Sequence, residues 1–305
     1  MSTAALIAVD WGTTNFRAYL LDRGGAVLDR VSAKRGIMNV AGGDFAAAYL
    51  EMVGAWQTSE ARVPALMAGM IGSRNGWVEA AYVDCPADPA QLAKGLGKVP
   101  MAEDRAVWIV PGIACRNNGV YDVIRGEETQ ITGAVALTGC AEATFCMPGT
   151  HSKWVTVHDH AIAGFQTAMT GELFSVLRDH SILGRLMVPG ADAPPSPAFE
   201  TGLDRAGDAG GLLHHLFGVR AEALFETIGE ADTADYLSGI LIGHEIHGLG
   251  TRGPVMLIGT DALNQRYRRA LERYGYRVDS VPGEDAVIAG LWSVARQAGI
   301  VENDR

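Results

Sequence analysis

The segment Val9-Asp10-Trp11-Gly12-Thr13-Thr14-Asn15-Phe16-Arg17 places an acidic residue at the end of an apolar strand and a glycine-threonine turn directly after it. Such a turn can offer backbone N–H groups and hydroxyls to phosphate oxygens, and Gly12 lets a ligand approach the backbone closely. Asp10 is expected to be unpaired and to hold Mg²⁺ through water, because Mg²⁺ keeps several water ligands. Taken alone, the same residues also fit an ordinary hairpin.

The segments around this turn predict the order strand, strand, strand, helix, strand. Apolar runs and turn residues predict strands at 5–9, 16–21 and 26–32, a helix at 43–57 and a further strand at 65–68. This order is a β-meander followed by a helix, and it differs from the βαβ unit of a dinucleotide-binding fold.

A second hairpin in the chain has the same character. Strands predicted at 144–147 and 153–157 enclose Pro148-Gly149-Thr150-His151, and a helix predicted at 126–137 precedes them. A strand at 255–258, helices near 231–247 and 261–274, and a closing helix from Glu284 complete the second half, which repeats the opening plan. Two opposed hairpins can grip one polyphosphate, so we expect a cleft between two related halves.

Two further segments carry candidate site residues. Arg125-Gly126-Glu127-Glu128-Thr129-Gln130 begins the predicted helix with two carboxylates in its first turn, where the helix dipole favours negative charge. Dipole compensation alone would explain both glutamates. The segment 255–263 is an apolar strand, a turn at Gly259 and a helix capped by Thr260 or Asp261. It suits a nucleoside pocket, although an ordinary strand-to-helix turn has the same pattern.

Length and composition limit the class of protein. With 305 residues, 48% of them hydrophobic and 20% charged, the chain is expected to form two domains with full cores. No apolar run reaches about 18 residues, and the first residues lead into a strand without a basic region or a cleavage site, so a cytoplasmic protein is expected. The net charge of -10 opposes nonspecific nucleic-acid binding.

Several short patterns are decoys. The run 248–253 fits the dinucleotide pattern, but it follows a predicted helix and precedes a predicted strand, the reverse of the required order. His244 and His247 are three residues apart, whereas a zinc-protease helix needs four. Residues 95–98 lack the Ser or Thr of a P-loop. The cysteines show no zinc-ligand spacing and are interpreted as reduced packing residues: Cys85, Cys115, Cys140 and Cys146.

These segments together resemble a known superfamily. Residues 10–17 are similar to the first phosphate motif of the actin, hexokinase and sugar-kinase superfamily, residues 148–151 to its second and residues 257–260 to its adenosine motif. More narrowly, the chain resembles the 2-dehydro-3-deoxygalactonokinase family over nearly its whole length. The resemblance rests on DWGTTNFR (10–17), MAGMIGSRNGW (67–77), RGEETQ (125–130), MPGTHSKW (147–154), MTGEL (169–173) and LSGILIG (237–243).

The resemblance implies an α/β, two-domain actin-like ATPase (ribonuclease H-like) fold with an interdomain nucleotide cleft. Residues 1–124 would form the domain with the acceptor site, and residues 125–305 the domain with the adenosine site. ATP and Mg²⁺ are the implied cofactors. The implied reaction is phosphorylation of 2-dehydro-3-deoxy-D-galactonate at its 6-hydroxyl in galactonate breakdown. The implied nucleotide-binding residues are Gly12, Thr13, Thr14, Asn15, Gly149, Thr150, His151, Gly259 and Thr260.

The resemblance also implies catalytic and acceptor residues. Glu127 falls where kinases of the glycerol-kinase type place an aspartate that acts as the base, and Asp10 is the implied metal ligand. Glu128 would support the helix start or the water shell of the metal. Arg74 or Arg125 could pair an acceptor carboxylate through two hydrogen bonds. The acceptor candidates are Ser73, Arg74, Asn75, Trp77 and Arg125.

Some alternatives stay open at the level of sequence. Trp77 is either an acceptor-site residue or a core-packing residue, and Arg17 is either a site residue or an exposed strand arginine. The chain could be another sugar or sugar-acid kinase of the same fold, or an ATP-driven switch of that fold that needs no small acceptor. The sequence leaves open a homo-oligomer, and it does not give the stereochemistry accepted at C4 of the acceptor.

Overall fold

The computed structural model describes residues 3–57, 62–101, 105–188, 194–250, 253–259 and 261–302. The chain forms two compact units. The first consists of Met1–Glu142, Val155–Phe165 and Gly283–Arg305, and the second of Ala143–Trp154 and Gln166–Pro282. The predicted division between residues 124 and 125 stays a prediction.

The first unit contains a six-stranded sheet of order β3-β2-β1-β4-β7-β6 and a separate three-stranded sheet of order β5-β8-β9. The strands are β1 (Ala4–Trp11), β2 (Phe16–Asp22), β3 (Val27–Ala33), β4 (Ala65–Ala68), β5 (Tyr82–Asp84), β6 (Gly97–Lys98), β7 (Val107–Ile109), β8 (Gly112–Asn117) and β9 (Val120–Ile124). β1 pairs antiparallel with β2 and parallel with β4. The predicted meander and the predicted strand after it are therefore confirmed.

Helices α1 (Phe45–Val53), α2 (Pro89–Lys94), α3 (Glu127–Thr138) and α9 (Gly283–Gln297) belong to the same unit. α3 and α9 cross at two glycines. A Cβ on Gly133 would overlap the carbonyl oxygen of Ala286, and a Cβ on Gly290 would overlap that of Thr129. Because the two backbones touch, α9 fixes the axis of α3 and with it the position of the helix start.

The second sheet has the order β12-β11-β10-β13-β14. Its strands are β10 (Ala143–Met147), β11 (Ser152–His158), β12 (Ala161–Ala168), β13 (Val255–Gly259) and β14 (Val278–Pro282). β10, β13 and β14 run parallel. Numbered within its own half, this sheet has the order 3-2-1-4-5, which is the ribonuclease H-like arrangement, and its first four positions repeat the order 3-2-1-4 of the first sheet. The predicted α/β fold class of two ribonuclease H-like halves, the actin-like ATPase class, is confirmed.

The other helices are α4 (Thr170–His180), α5 (Pro197–Ala206), α6 (Gly211–Leu224), α7 (Thr233–Leu249) and α8 (Asp261–Arg273), all within the second unit. Aliphatic and aromatic residues of α5, α7 and α8 pack on β10 and β13 in one buried cluster that includes Phe199, Ile242 and Tyr267. Within the described part of the chain, no helix has the length and apolarity needed to cross a bilayer.

Candidate active site

The first hairpin connects β1 to β2 in a tight turn. Gly12 N donates to the carbonyl oxygen of Asn15 over 2.9 Å, while Gly36 N donates to that of Thr14 over 2.8 Å. The backbone N–H groups of Thr13, Thr14 and Asn15 donate to no other residue that the structure describes, and these three residues are exposed. Hydrogen bonds from Gly12 and Gly36 thus fix the conformation of the turn, and the N–H groups of residues 13–15 remain available to a ligand, as a phosphate site requires.

Asp10 is the second-last residue of β1, between the buried Val9 and Trp11, and its side chain is 20% exposed. Arg17 Nη1 lies 3.4 Å from its Oδ2, so the expectation that Asp10 is unpaired is wrong. Burial raises the pKa of Asp10, and the charge of Glu127 raises it further, against the lowering effect of Arg17. A carboxylate whose charge is poorly compensated, near a second carboxylate, fits a divalent cation held by oxygen ligands.

Two glycines bring the start of α3 next to Asp10. Gly126 has a φ of 106° and Gly69 a φ of 97°, both in the region that favours glycine. A Cβ on Gly126 would lie 3.1 Å from the Cα of Gly69, and a Cβ on Gly69 would lie 3.5 Å from Asp10 Oδ1. The end of β4 and the start of α3 therefore meet beside the Asp10 carboxylate, although they are far apart in sequence.

The two glutamates at the start of α3 have different surroundings. Glu127 is partly exposed, and its Oε2 accepts a hydrogen bond from Arg125 N over 3.0 Å. Glu128 is fully buried and accepts from Gly126 N over 2.6 Å and from Thr129 Oγ1 over 3.2 Å. Burial, helped by the charge of Glu127, raises the pKa of Glu128 to about 8. Glu127 is therefore the glutamate that a ligand can reach, and Glu128 supports the helix start.

The proposed acceptor loop follows β4 as a single turn of 3₁₀ helix, Met70–Gly72. Ser73 Oγ donates to the carbonyl oxygen of Met70 over 2.7 Å, which closes the turn. Arg74 and Asn75 are exposed, and Arg74 Nε lies 3.6 Å from Glu79 Oε1. An exposed pair at this distance contributes little to stability, so Arg74 is available to a ligand.

Trp77 packs on the core of the first unit. Its ring centroid lies 6.4 Å from that of Trp11 and 6.0 Å from that of Tyr49. The indole is partly buried, so its packing role is established by these contacts. The aromatic cluster connects the acceptor loop to the strand that carries Asp10.

Arg125 lies beneath the acceptor loop with unsatisfied donors. Its Nη2 donates to the carbonyl oxygen of Ala80 over 2.8 Å, and its guanidinium carbon lies 4.4 Å from the centre of the Tyr82 ring. Nε and Nη1 are buried and have no partner among the described residues. Buried charged donors without acceptors are costly, so this guanidinium fits an anionic group of a ligand.

The second hairpin, residues 148–151, belongs to the second unit and joins β10 to the start of β11. The N–H groups of Gly149, Thr150 and His151 donate to no residue that the structure describes. A Cβ on Gly149 would meet only the carbonyl oxygen of His151, at 3.8 Å. His151 Nε2 lies 2.5 Å from Glu172 Oε2, and Glu172 N donates to Thr150 O over 2.8 Å. The hairpin again presents unused donors on a turn that α4 holds from one side.

The third predicted segment ends β13 at Gly259. Thr260 lies outside the described residues, so the structure does not describe that candidate. A Cβ on Gly259 would lie 3.0 Å from Asn264 Oδ1, an amide oxygen that is buried without a partner among the described residues. Sequence reasoning missed Asn264, whose only local signal is its place in the first turn of a helix that follows a glycine turn.

Comparison with known proteins identifies the family. The sequence matches the family described as 2-keto-3-deoxy-galactonokinase over residues 10–294. A protein of Rhizobium meliloti (strain 1021), named as a probable 2-dehydro-3-deoxygalactonokinase, is 40% identical over 312 residues, covering 97% of this chain and 98% of that protein. The 2-dehydro-3-deoxygalactonokinase of Escherichia coli (strain K12) is 35% identical over 297 residues, covering 96% and 98%.

A solved structure agrees with these matches. The crystal structure of a protein from Sinorhizobium meliloti, provisionally described as a 2-dehydro-3-deoxygalactonokinase, superimposes with a TM-score of 0.89 at 39% identity. The superposition covers 95% of this chain and 98% of that one. The matched residues include the hairpin with Asp10, the start of α3 and the second hairpin. The chain therefore belongs to the 2-keto-3-deoxy-galactonokinase family.

Proposed function

We propose that the chain transfers the γ-phosphoryl group of ATP to the 6-hydroxyl of 2-dehydro-3-deoxy-D-galactonate, giving the 6-phosphate and ADP. The observation that carries the proposal is the family match over residues 10–294, which takes in most of the candidate segments of both units. The reaction would serve galactonate breakdown in the cytoplasm.

In this reaction Glu127 takes the proton of the attacking hydroxyl, because it is the reachable carboxylate at the start of α3. Asp10 holds Mg²⁺ through its water shell, and bound Mg²⁺ would neutralise charge on the phosphoryl group. The free N–H groups of residues 13–15 and of residues 149–151 donate to phosphate oxygens. Gly259 and Thr260 border the adenosine, and the orphan oxygen of Asn264 fits a hydrogen-bond donor of the nucleoside.

The proposed acceptor residues have three roles: one binds the carboxylate of the acceptor, three contact its hydroxyl groups and one forms a wall of the site. The orphan Nε and Nη1 of Arg125 pair with the carboxylate of the sugar acid, which removes the cost of two buried unsatisfied donors. Ser73, Arg74 and Asn75 contact the hydroxyl groups of the acceptor. Trp77 forms the wall of this site and is held by its packing on Trp11.

A coupled assay of ADP release tests the proposed function. We expect ADP production that depends on 2-dehydro-3-deoxygalactonate and is markedly slower with its gluconate epimer, which differs at C4. Equal or faster turnover with another sugar acid would assign the chain to a different kinase specificity. ADP release that is independent of any small acceptor would indicate an ATP-driven switch of the same fold.

Gly149→Val is expected to raise the KM for ATP by about tenfold or more, or to abolish activity, because a side chain there would occupy the space of a phosphate group. The free protein has room for a side chain, since a Cβ would meet only His151 O at 3.8 Å. The melting temperature should therefore stay close to the wild-type value. Unchanged nucleotide kinetics in Gly149→Val would reassign this hairpin to structure alone.

A further inference from the structure

A buried carboxylate on α7 takes no part in the chemistry described so far. Glu245 is 9% exposed. Its Oε1 accepts from Trp154 Nε1 over 2.6 Å, and its Oε2 accepts from Tyr267 OH over 2.7 Å. Ser152 Oγ lies 2.7 Å from Tyr267 OH. The hydroxyls of Thr170 and Ser152 also lie close enough to the carboxyl group to lower its pKa. We call these five residues the Glu245 network.

Three of these partners belong to segments that adjoin the second hairpin, residues 148–151. Ser152 and Trp154 begin β11, directly after His151, and Thr170 begins α4. The residue after Thr170 is Gly171, where a Cβ would overlap the carbonyl oxygen of Gly149. The Glu245 network therefore ties together the strand that leaves the hairpin and the helix start that packs against it.

The chemistry of the partners calls for a carboxylate at this position. An indole N–H can only donate, and the hydroxyls of Tyr267 and Ser152 are also hydrogen-bonded to one another, so the network needs an acceptor with two oxygens. Burial raises the pKa of Glu245, and the hydrogen-bond donors around the carboxyl group reduce this rise without cancelling it. A neutral amide has one accepting oxygen, and its NH2 group would face Tyr267 OH, so the proton of that hydroxyl would have to turn to Ser152 Oγ and the network would rearrange.

We propose that Glu245 is a positioning residue that holds the second hairpin in the conformation that binds the nucleotide phosphates. The role rests on the proposed function, because it assumes that the hairpin binds ATP. Hydrogen bonds from a turn to phosphate oxygens depend on placement within a fraction of an ångström, so a small displacement of residues 148–151 weakens nucleotide binding. Acceptor binding involves residues of the first unit and is expected to be unaffected.

Glu245→Gln tests this role. We expect the KM for ATP and the Kd for ADP, measured by calorimetry, to rise by about tenfold, while the KM for the acceptor stays within about twofold. Tyr267→Phe keeps the ring and removes one donor, and it should raise the same two constants to a smaller extent.

Asp235→Asn is the matched control. Asp235 lies on the same helix, its side chain is 17% exposed, and it accepts hydrogen bonds from Ser196 N and Arg266 Nη1, each over 2.6 Å. Its loss should lower the melting temperature and leave the KM for ATP close to the wild-type value.

The outcomes separate a positioning role from general stabilisation. Normal ATP and ADP constants in folded Glu245→Gln would overturn the proposal, and so would equal rises in Glu245→Gln and Asp235→Asn. If Glu245→Gln does not fold, Tyr267→Phe decides, since unchanged nucleotide constants in that variant would also overturn it. A wild-type chain that binds no ADP would overturn the proposed function together with this role, whereas the other results concern Glu245 alone.

Discussion

Asp10→Asn is expected to reduce phosphoryl transfer by more than about 10³-fold, because it removes the charge that holds the metal-bound nucleotide. Burial and the neighbouring charge of Glu127 raise the pKa of Asp10, so the ionised carboxylate is destabilising in the free protein at neutral pH. The asparagine variant should therefore melt no lower than the wild type. ADP release at saturating acceptor and a thermal melt measure the two effects.

Asp22→Asn provides the comparison for this variant. Asp22 also lies at the end of a strand in the same sheet, where its Oδ1 accepts from Gly24 N and Ala26 N over 2.9 Å each. Its loss should lower stability by about 1 kcal/mol and leave kcat unchanged. If Asp10→Asn retains near-normal activity at ordinary Mg²⁺ concentrations, Asp10 does not belong to the active site.

Glu127→Gln is expected to lower kcat by about 10²–10⁴-fold while ATP binding stays largely intact. The variant keeps the shape of the side chain and removes the base. Phosphoryl transfer depends mainly on positioning and charge stabilisation, so activity should fall without disappearing. Rapid measurements of single turnover, with ADP binding measured separately, distinguish the loss of a base from the loss of nucleotide affinity.

Glu128→Gln is the control for Glu127, because consecutive helical residues point about 100° apart and cannot both reach one hydroxyl. Glu128 has a folded-state pKa of about 8, raised from 4.5, so stability falls as the pH rises from about 4.5 to about 8, because the group ionises in the unfolded chain and stays protonated in the folded one. Glu128→Gln should flatten this loss of stability and change kcat little. A large fall in kcat in Glu128→Gln alone would move the base by one residue, and normal kcat in both variants would leave only the helix-dipole role.

The sequence determined those parts of the fold that depend on local pattern. The strand predicted at 65–68 has the bounds of β4, and the hairpins around Gly12 and Gly149 lie where the glycine-threonine turns indicated. These predictions succeed because an apolar run and a turn residue act on neighbours within a few positions. The helix predicted at 43–57 is shorter, since α1 ends at Val53 and a 3₁₀ turn, Gly54–Trp56, follows it.

Other elements have weak local patterns and were not predicted. The sheet of β5, β8 and β9 is made of short strands with exposed Val120 and Tyr121 on β9, so their apolar residues do not mark a buried face. The Pro-rich stretch 189–197 includes residues 189–193, which lie outside the described residues, and α5 begins at Pro197.

Only the tertiary structure decided which site residues meet. Gly126 approaches Gly69 beside Asp10, and the Glu245 network joins residues that are also distant in sequence. The burial of the unsatisfied Arg125 donors likewise depends on tertiary packing. The sequence marked Asp10 and Glu127 as candidates because strand ends and helix starts are local features. It did not show that Arg17 pairs with Asp10 or that Glu128 is fully buried, because burial and pairing depend on how the sheet and α3 pack, and packing is decided by contacts across the whole unit.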